Sequence, residues 1–135
     1  MGAVKDDATR LEAGAGADGG FGETIRHARL ARAKTEPRAF TLRQVAARAG
    51  VQPDYLSRIE RGLVAPPGEE AIARLADVLG EDRDVLLALA GKVSADLRRA
   101  ILRRPKLFAE LIRELNAMPD HAILRIAREV RDGEW

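Results

Sequence analysis

Gly50, Gly62 and Gly80 cut the middle of this chain into segments short enough to be single small helices. Helices commonly close on a residue that can turn left-handed, and glycine does so without steric cost. Start signals follow or precede each stop. Thr41-Leu-Arg-Gln44 is a capping-box pattern, in which a hydroxyl and a Gln three residues later satisfy exposed amides reciprocally, and Pro53 suits a first helical position. The expected helices are therefore about 22–34, ended by Pro37, then 42–49, 53–61, 68–79 and 82–91. Aromatic residues are only 4% of the chain, so a core must be built from Leu, Ile, Val and Ala, a composition that favours helices. No period-two alternation points to a strand, and the expected fold class is all-α.

The flanks read differently. Residues 1–20 include Ala-Gly-Ala-Gly-Ala-Asp-Gly-Gly, which has nothing to bury, and are expected to form a disordered leader. Downstream of 91, Ser94 is a candidate cap, with Asp96 in the turn it opens. Pro105 restarts a helix whose Leu107, Phe108, Leu111, Ile112 and Leu115 form one apolar stripe. Pro119 and Asp120 begin a last helix with Ile123, Leu124, Ala127 and Val130, closed by Gly133. The division expected is a leader (1–20), a helical domain (21–91) and a helical extension (92–135).

Several classes of function find no support. The chain has no cysteine, and His27 and His121 stand far apart without neighbouring ligand types, so no metal site or cofactor is expected. No nucleophile–base set or phosphate-binding glycine loop is present, and an enzyme is not expected. No apolar run approaches the roughly 20 residues that span a bilayer, and no signal-peptide pattern opens the chain; a cytoplasmic location without membrane contact is the expectation.

The segment 42–61 carries more specific information. Two short helices joined by a tight turn containing glycine form the unit that enters a DNA major groove. Ala46 is small where two such helices cross, Gly50 supplies the turn, and Val45, Val51, Leu56 and Ile59 are apolar where the pair must seat on a domain. Gln52, Asp54, Ser57, Arg58 and Arg61 fall on the outward side. Charge agrees in sign: residues 21–64 hold nine Lys/Arg against four Asp/Glu, followed by a net acidic stretch over 65–92. Double-stranded DNA is the expected partner.

At these residues the chain resembles the lambda repressor-like (XRE) helix-turn-helix family. The resemblance covers about residues 22–91. It rests on Gly-Glu-Thr-Ile-Arg at 22–26, Thr-Leu-Arg-Gln-Val-Ala at 41–46, Ala-Gly-Val at 49–51, Tyr-Leu-Ser-Arg-Ile-Glu-Arg-Gly at 55–62 and Leu-Ala-Asp-Val-Leu-Gly at 75–80. It implies a five-helix domain whose third helix is the recognition helix, with Gln52, Pro53, Asp54, Ser57 and Arg58 where base contacts are made. It also implies that Thr41, Arg43 and Gln44 lie where the second helix crosses the sugar–phosphate backbone, and that Glu60 pairs with Arg29.

Among the reading positions, Arg58 is the strongest, because a guanidinium bonds guanine O6 and N7 with two parallel donors. Gln52 either reads adenine or caps the third helix. Asp54 either complements the helix dipole, the reading favoured from sequence, or accepts from cytosine N4. Ser57 reaches a base or a phosphate. Arg43 is the better phosphate ligand, Arg61 the next, and Thr41 is a cap first; Arg48 is expected in solvent or on a neighbouring acid. Two departures from the family stand out. The loop Leu63-Val-Ala-Pro-Pro67 lacks the basic or amide residues common there and becomes a candidate protein surface. The link 34–40, with Lys34 and Arg38, is longer than usual and reads as a surface loop.

A single module reads about half of a palindromic operator, so the apolar stripes 107–115 and 123–130 are expected to make a homodimer, or else to pack on the domain. The function expected is that of a dimeric repressor. The alternative is an antitoxin-like or partner-regulated autorepressor whose carboxy-terminal helices bind a toxin or protease.

Overall fold

A computed structural model of the chain describes residues 20–135. The leader expected over 1–20 lies outside the described residues except for Gly20, which opens the first helix. Among the described residues there are eight helices and no strand: α1 (Gly20–Ala33), α2 (Leu42–Ala49), α3 (Pro53–Glu60), α4 (Glu69–Leu79), α5 (Arg83–Leu89), α6 (Ala95–Arg103), α7 (Pro105–Asn116) and α8 (Asp120–Asp132). The fold is all-α, as the glycine punctuation predicts. The chain divides into two compact units, one ending at Ser94 and the other running from Ala95 to Trp135.

In the first unit, α1 packs on α3, α4 and α5, while α2 packs on α3 and α4. The core between them contains fifteen buried hydrophobic residues, all from Phe21 to Leu89. Leucine, isoleucine, valine and alanine make up all but two of them, and each full burial of a large one stabilises by about 1.5–3 kcal/mol. Ala46 is completely buried, as a helix crossing requires, alongside Val45, Leu56 and Ile59. Phe21 explains why α1 begins before residue 22: its ring is buried, and the extra turn carries it into the core.

The turn between α2 and α3 depends on Gly50, which sits at φ 70°, ψ 31°. Its left-handed backbone lets the Val51 N–H reach back to the Ala46 carbonyl at 3.0 Å, so the end of α2 is satisfied within six residues. From across the core, Arg74 Nε of α4 donates to the Ala49 carbonyl at 2.8 Å and adds a second clasp on the same turn.

The link 34–40 lies on the surface as expected over 34–38, all exposed, and turns inward only at Ala39 and Phe40. Turn hydrogen bonds run from Thr35 and Glu36 to the Arg32 carbonyl and from Ala39 and Phe40 to the Glu36 carbonyl. They carry Phe40 into the core, where its ring lies between the guanidinium groups of Arg32 (5.1 Å) and Arg48 (4.6 Å). Arg48 also donates to the Ala39 carbonyl. It is exposed to solvent, one of the two placements expected from sequence, and it also covers an aromatic ring, a favourable cation–π arrangement.

Two contacts fix α3 against α1. A Cβ added at Gly22 would lie 2.0 Å from the Ile59 carbonyl oxygen, so the two helix backbones touch where only glycine fits. About two turns further along α1, Arg29 and Glu60 form a two-bond fork, Nε to Oε2 and Nη2 to Oε1, both 2.8 Å, with a longer bond from Arg29 Nη1 to the Phe40 carbonyl at 3.4 Å. Both side chains are largely shielded. The bond to Glu60 holds the Arg29 guanidinium above its ordinary pKa in spite of burial, so it remains charged.

Two stability outcomes follow. Gly22→Ala should cost about 1–3 kcal/mol, because the clash is with backbone and must be relieved by moving a helix; urea unfolding should show a lowered midpoint. Glu60→Ala leaves a buried guanidinium with one long bond and should cost about 3–5 kcal/mol. Arg29→Met combined with Glu60→Leu should recover most of that loss, since no unpaired charge then remains. A double variant as unstable as Glu60→Ala would contradict the burial argument.

Candidate nucleic-acid interface

Along α3 the apolar side and the polar side separate cleanly. Leu56, Ile59 and Glu60 are buried, whereas Asp54, Tyr55 and Arg58 are exposed, and Gln52 is exposed at the residue before the helix. This follows from helical spacing: Leu56 and Ile59 are three apart and share a face. Pro53 occupies the first turn and is half-buried, as is Ser57.

Gln52 stands at the N-cap position with extended backbone, but its side chain makes no capping bond. Of its two expected uses, capping is not realised. Asp54 lies in the first turn of α3, where its charge suits the dipole, and its Oδ2 also pairs with Arg58 Nε at 3.3 Å. Arg61 closes α3 and folds back so that Nε donates to the Ser57 carbonyl at 3.3 Å.

At the start of α2, Thr41 Oγ1 accepts from the Gln44 backbone N–H at 3.1 Å. Only this half of the expected capping box forms among the described residues, and the Gln44 side chain stays exposed beside the exposed Arg43. Thr41, Arg43 and Gln44 thus lie together at the start of α2. Tyr55 was not singled out from sequence. Its exposure on α3 adds a phenol that can donate to a phosphate, and its only signal is its position one residue after Asp54.

The loop after α3 is less open than expected. Val64 packs on the core, Pro67 is buried, and Lys92 Nζ donates to the Pro67 carbonyl at 3.0 Å. Only Leu63 projects as a large apolar side chain.

In the second unit α6 packs against α7. No residue of α6, α7 or α8 is buried. Phe108, Leu115 and Ile123 are half-covered, while Leu107, Leu111, Ile112, Leu124, Ala127 and Val130 are exposed. Ile126, absent from the expected stripe, is half-covered together with Ile123. The basic pairs Arg98-Arg99 and Arg103-Arg104 lie at exposed positions of and just after α6.

Among the described residues no group of three or more His, Cys, Asp or Glu is placed to hold a metal ion, and no helix is long and apolar enough to cross a membrane.

The model of the helix-turn-helix domain family matches residues 21–89, the same span that the core occupies from Phe21 to Leu89. No curated protein and no solved structure matches the chain. With the family model covering half its length, the chain belongs to the helix-turn-helix domain family, of the DNA-binding kind found in XRE and lambda repressor-like regulators.

Proposed function

We propose that the protein is a sequence-specific transcriptional repressor that binds a palindromic operator as a homodimer, with α3 in the major groove. The observation that carries this reading is the anchoring of α3. Its apolar side and Glu60 are locked to the domain, while Gln52, Asp54, Tyr55 and Arg58 remain exposed along the other side. Pro53 and Ser57 complete the base-facing set, and Thr41, Arg43, Gln44 and Arg61 are the proposed phosphate contacts. A bidentate arginine is worth about 1–3 kcal/mol of discrimination against the wrong base, and Arg58 is the residue proposed to supply it.

Dimerisation is assigned to residues 92–135. Amphipathic helices gain stability only when their apolar faces are covered, and Leu107, Leu111, Ile112, Leu124 and Val130 are uncovered. A second copy would cover them and set two modules one helical turn of DNA apart, roughly 34–36 Å. The same open faces support the second reading, in which a toxin or protease seats there and the amino-terminal domain autoregulates. Repression needs only occupancy of DNA that polymerase must use, whereas activation requires a further polymerase-binding surface. A cytoplasmic location, with no enzymatic activity, goes with this proposal.

The decisive experiment is selection from random duplex DNA with the purified full-length chain at near-physiological salt. Enrichment of a palindrome with half-sites about one turn apart is the expected result; no enriched sequence would remove the operator-reading proposal. On the selected site, Arg58→Ala should flatten the preference at one base position. Arg43→Ala should weaken all sequences alike and reduce the salt slope by about one. A chain ending at Ser94 should sediment as a monomer and bind the palindrome at least tenfold more weakly, about 1.4 kcal/mol; a dimeric truncation would relocate the interface to the first unit.

A further inference from the structure

We propose that Asp54 is a positioning residue for Arg58, so that the two side chains read DNA as one unit rather than as independent contacts. This inference rests on α3 being the reading helix. Asp54 Oδ2 meets Arg58 Nε at 3.3 Å across one helical turn, and both side chains are exposed. The atom engaged is decisive. Guanine offers two acceptors, O6 and N7, and an arginine reads it with two parallel N–H donors. An ion pair made at Nε leaves Nη1 and Nη2 of the exposed guanidinium available as that pair.

Charge argues the same way. Of the side chains exposed at the start of α2 and along α3, Asp54 is the acid among Arg43, Gln44, Gln52, Tyr55 and Arg58. A lone carboxylate at a phosphate-lined surface is repelled from every sequence alike; one paired to Arg58 is neutralised only while that arginine stays in its reading position. The pair therefore favours guanine at one position in each half-site, and it lowers affinity for random DNA. In free solution an exposed pair four residues apart is worth only about twofold. At a desolvated DNA interface the same pair acts on a reading geometry, where coupling between charges is larger.

The test uses the full-length wild type with Asp54→Ala, Asp54→Asn, Arg58→Ala and the Asp54→Ala/Arg58→Ala double variant. Each is titrated on the selected palindrome, on the palindrome changed at the guanine that Arg58→Ala identifies, and on random duplex. Asp54→Ala and Asp54→Asn are expected to reduce the guanine preference about three- to tenfold while binding random duplex about twofold or more tightly. The double variant should show the same guanine preference as Arg58→Ala alone, because the carboxylate acts through the arginine. A helix-start role alone would lower thermal stability and weaken all three duplexes equally, leaving the guanine preference intact; that result overturns the proposal, as do additive losses in the double variant. If the wild type itself selects no sequence, the operator-reading function fails first and this inference with it. That failure is visible without any Asp54 variant, so the two are told apart.

Discussion

Where Gly22 of α1 meets the Ile59 carbonyl of α3, two helix backbones are in direct contact, and about two turns further along α1 the Arg29–Glu60 fork joins the same two helices. The first contact sets how deeply α3 seats; the second sets its rotation. Successive helical residues are about 100° apart, so a roll of α3 by that angle would exchange a buried Ile59 for an exposed Arg58. The polar side of the helix is thus an outcome of what is fixed behind it. A side chain at residue 22, or a missing carboxylate at residue 60, would disturb the outward face without touching it.

Much of this was legible in the chain. Gly50 and Thr41 act within a few residues of themselves, so the turn and the cap could be read from local spacing. The Arg29–Glu60 pair came from family likeness and is present with two 2.8 Å bonds. What stayed hidden depends on residues brought together from a distance. Phe40 looked like part of a loop because neither Arg32 nor Arg48 announces that it will lie on a ring. Nothing in the sequence around Arg74 of α4 indicates that it clasps the end of α2, 25 residues earlier. The Asp54–Arg58 pairing is open to sequence, since a spacing of four brings helical side chains together. The need for Gly22 is not, because the Ile59 carbonyl it admits lies on another helix.

The two units differ in what holds them. Among the described residues every buried hydrophobic one lies between Phe21 and Leu89, whereas α6 packs against α7 and no residue of α6, α7 or α8 is buried. Helices of nine to thirteen residues are marginal in water on propensity alone. Their stability has to come from covered apolar surface, which the proposed second copy would provide. The first unit, with its core and clamps, contains within itself what it needs to present α3.

The glycine closure that ends α2 is repeated through the first unit. The N–H of Leu63 reaches the Arg58 carbonyl, that of Glu81 reaches Ala76, and that of Lys92 reaches Leu87, all at 2.8–2.9 Å. Each helix end is therefore completed by atoms only five positions apart along the chain, and little loop-closure entropy opposes it. Domains rich in such local contacts fold within about microseconds to milliseconds. The meeting of α1 with α3 is less local, since it brings Gly22 to Ile59 across the intervening turns and carries a higher loop-closure cost. Between translation and function, that one encounter separates a string of helices from a surface able to dock.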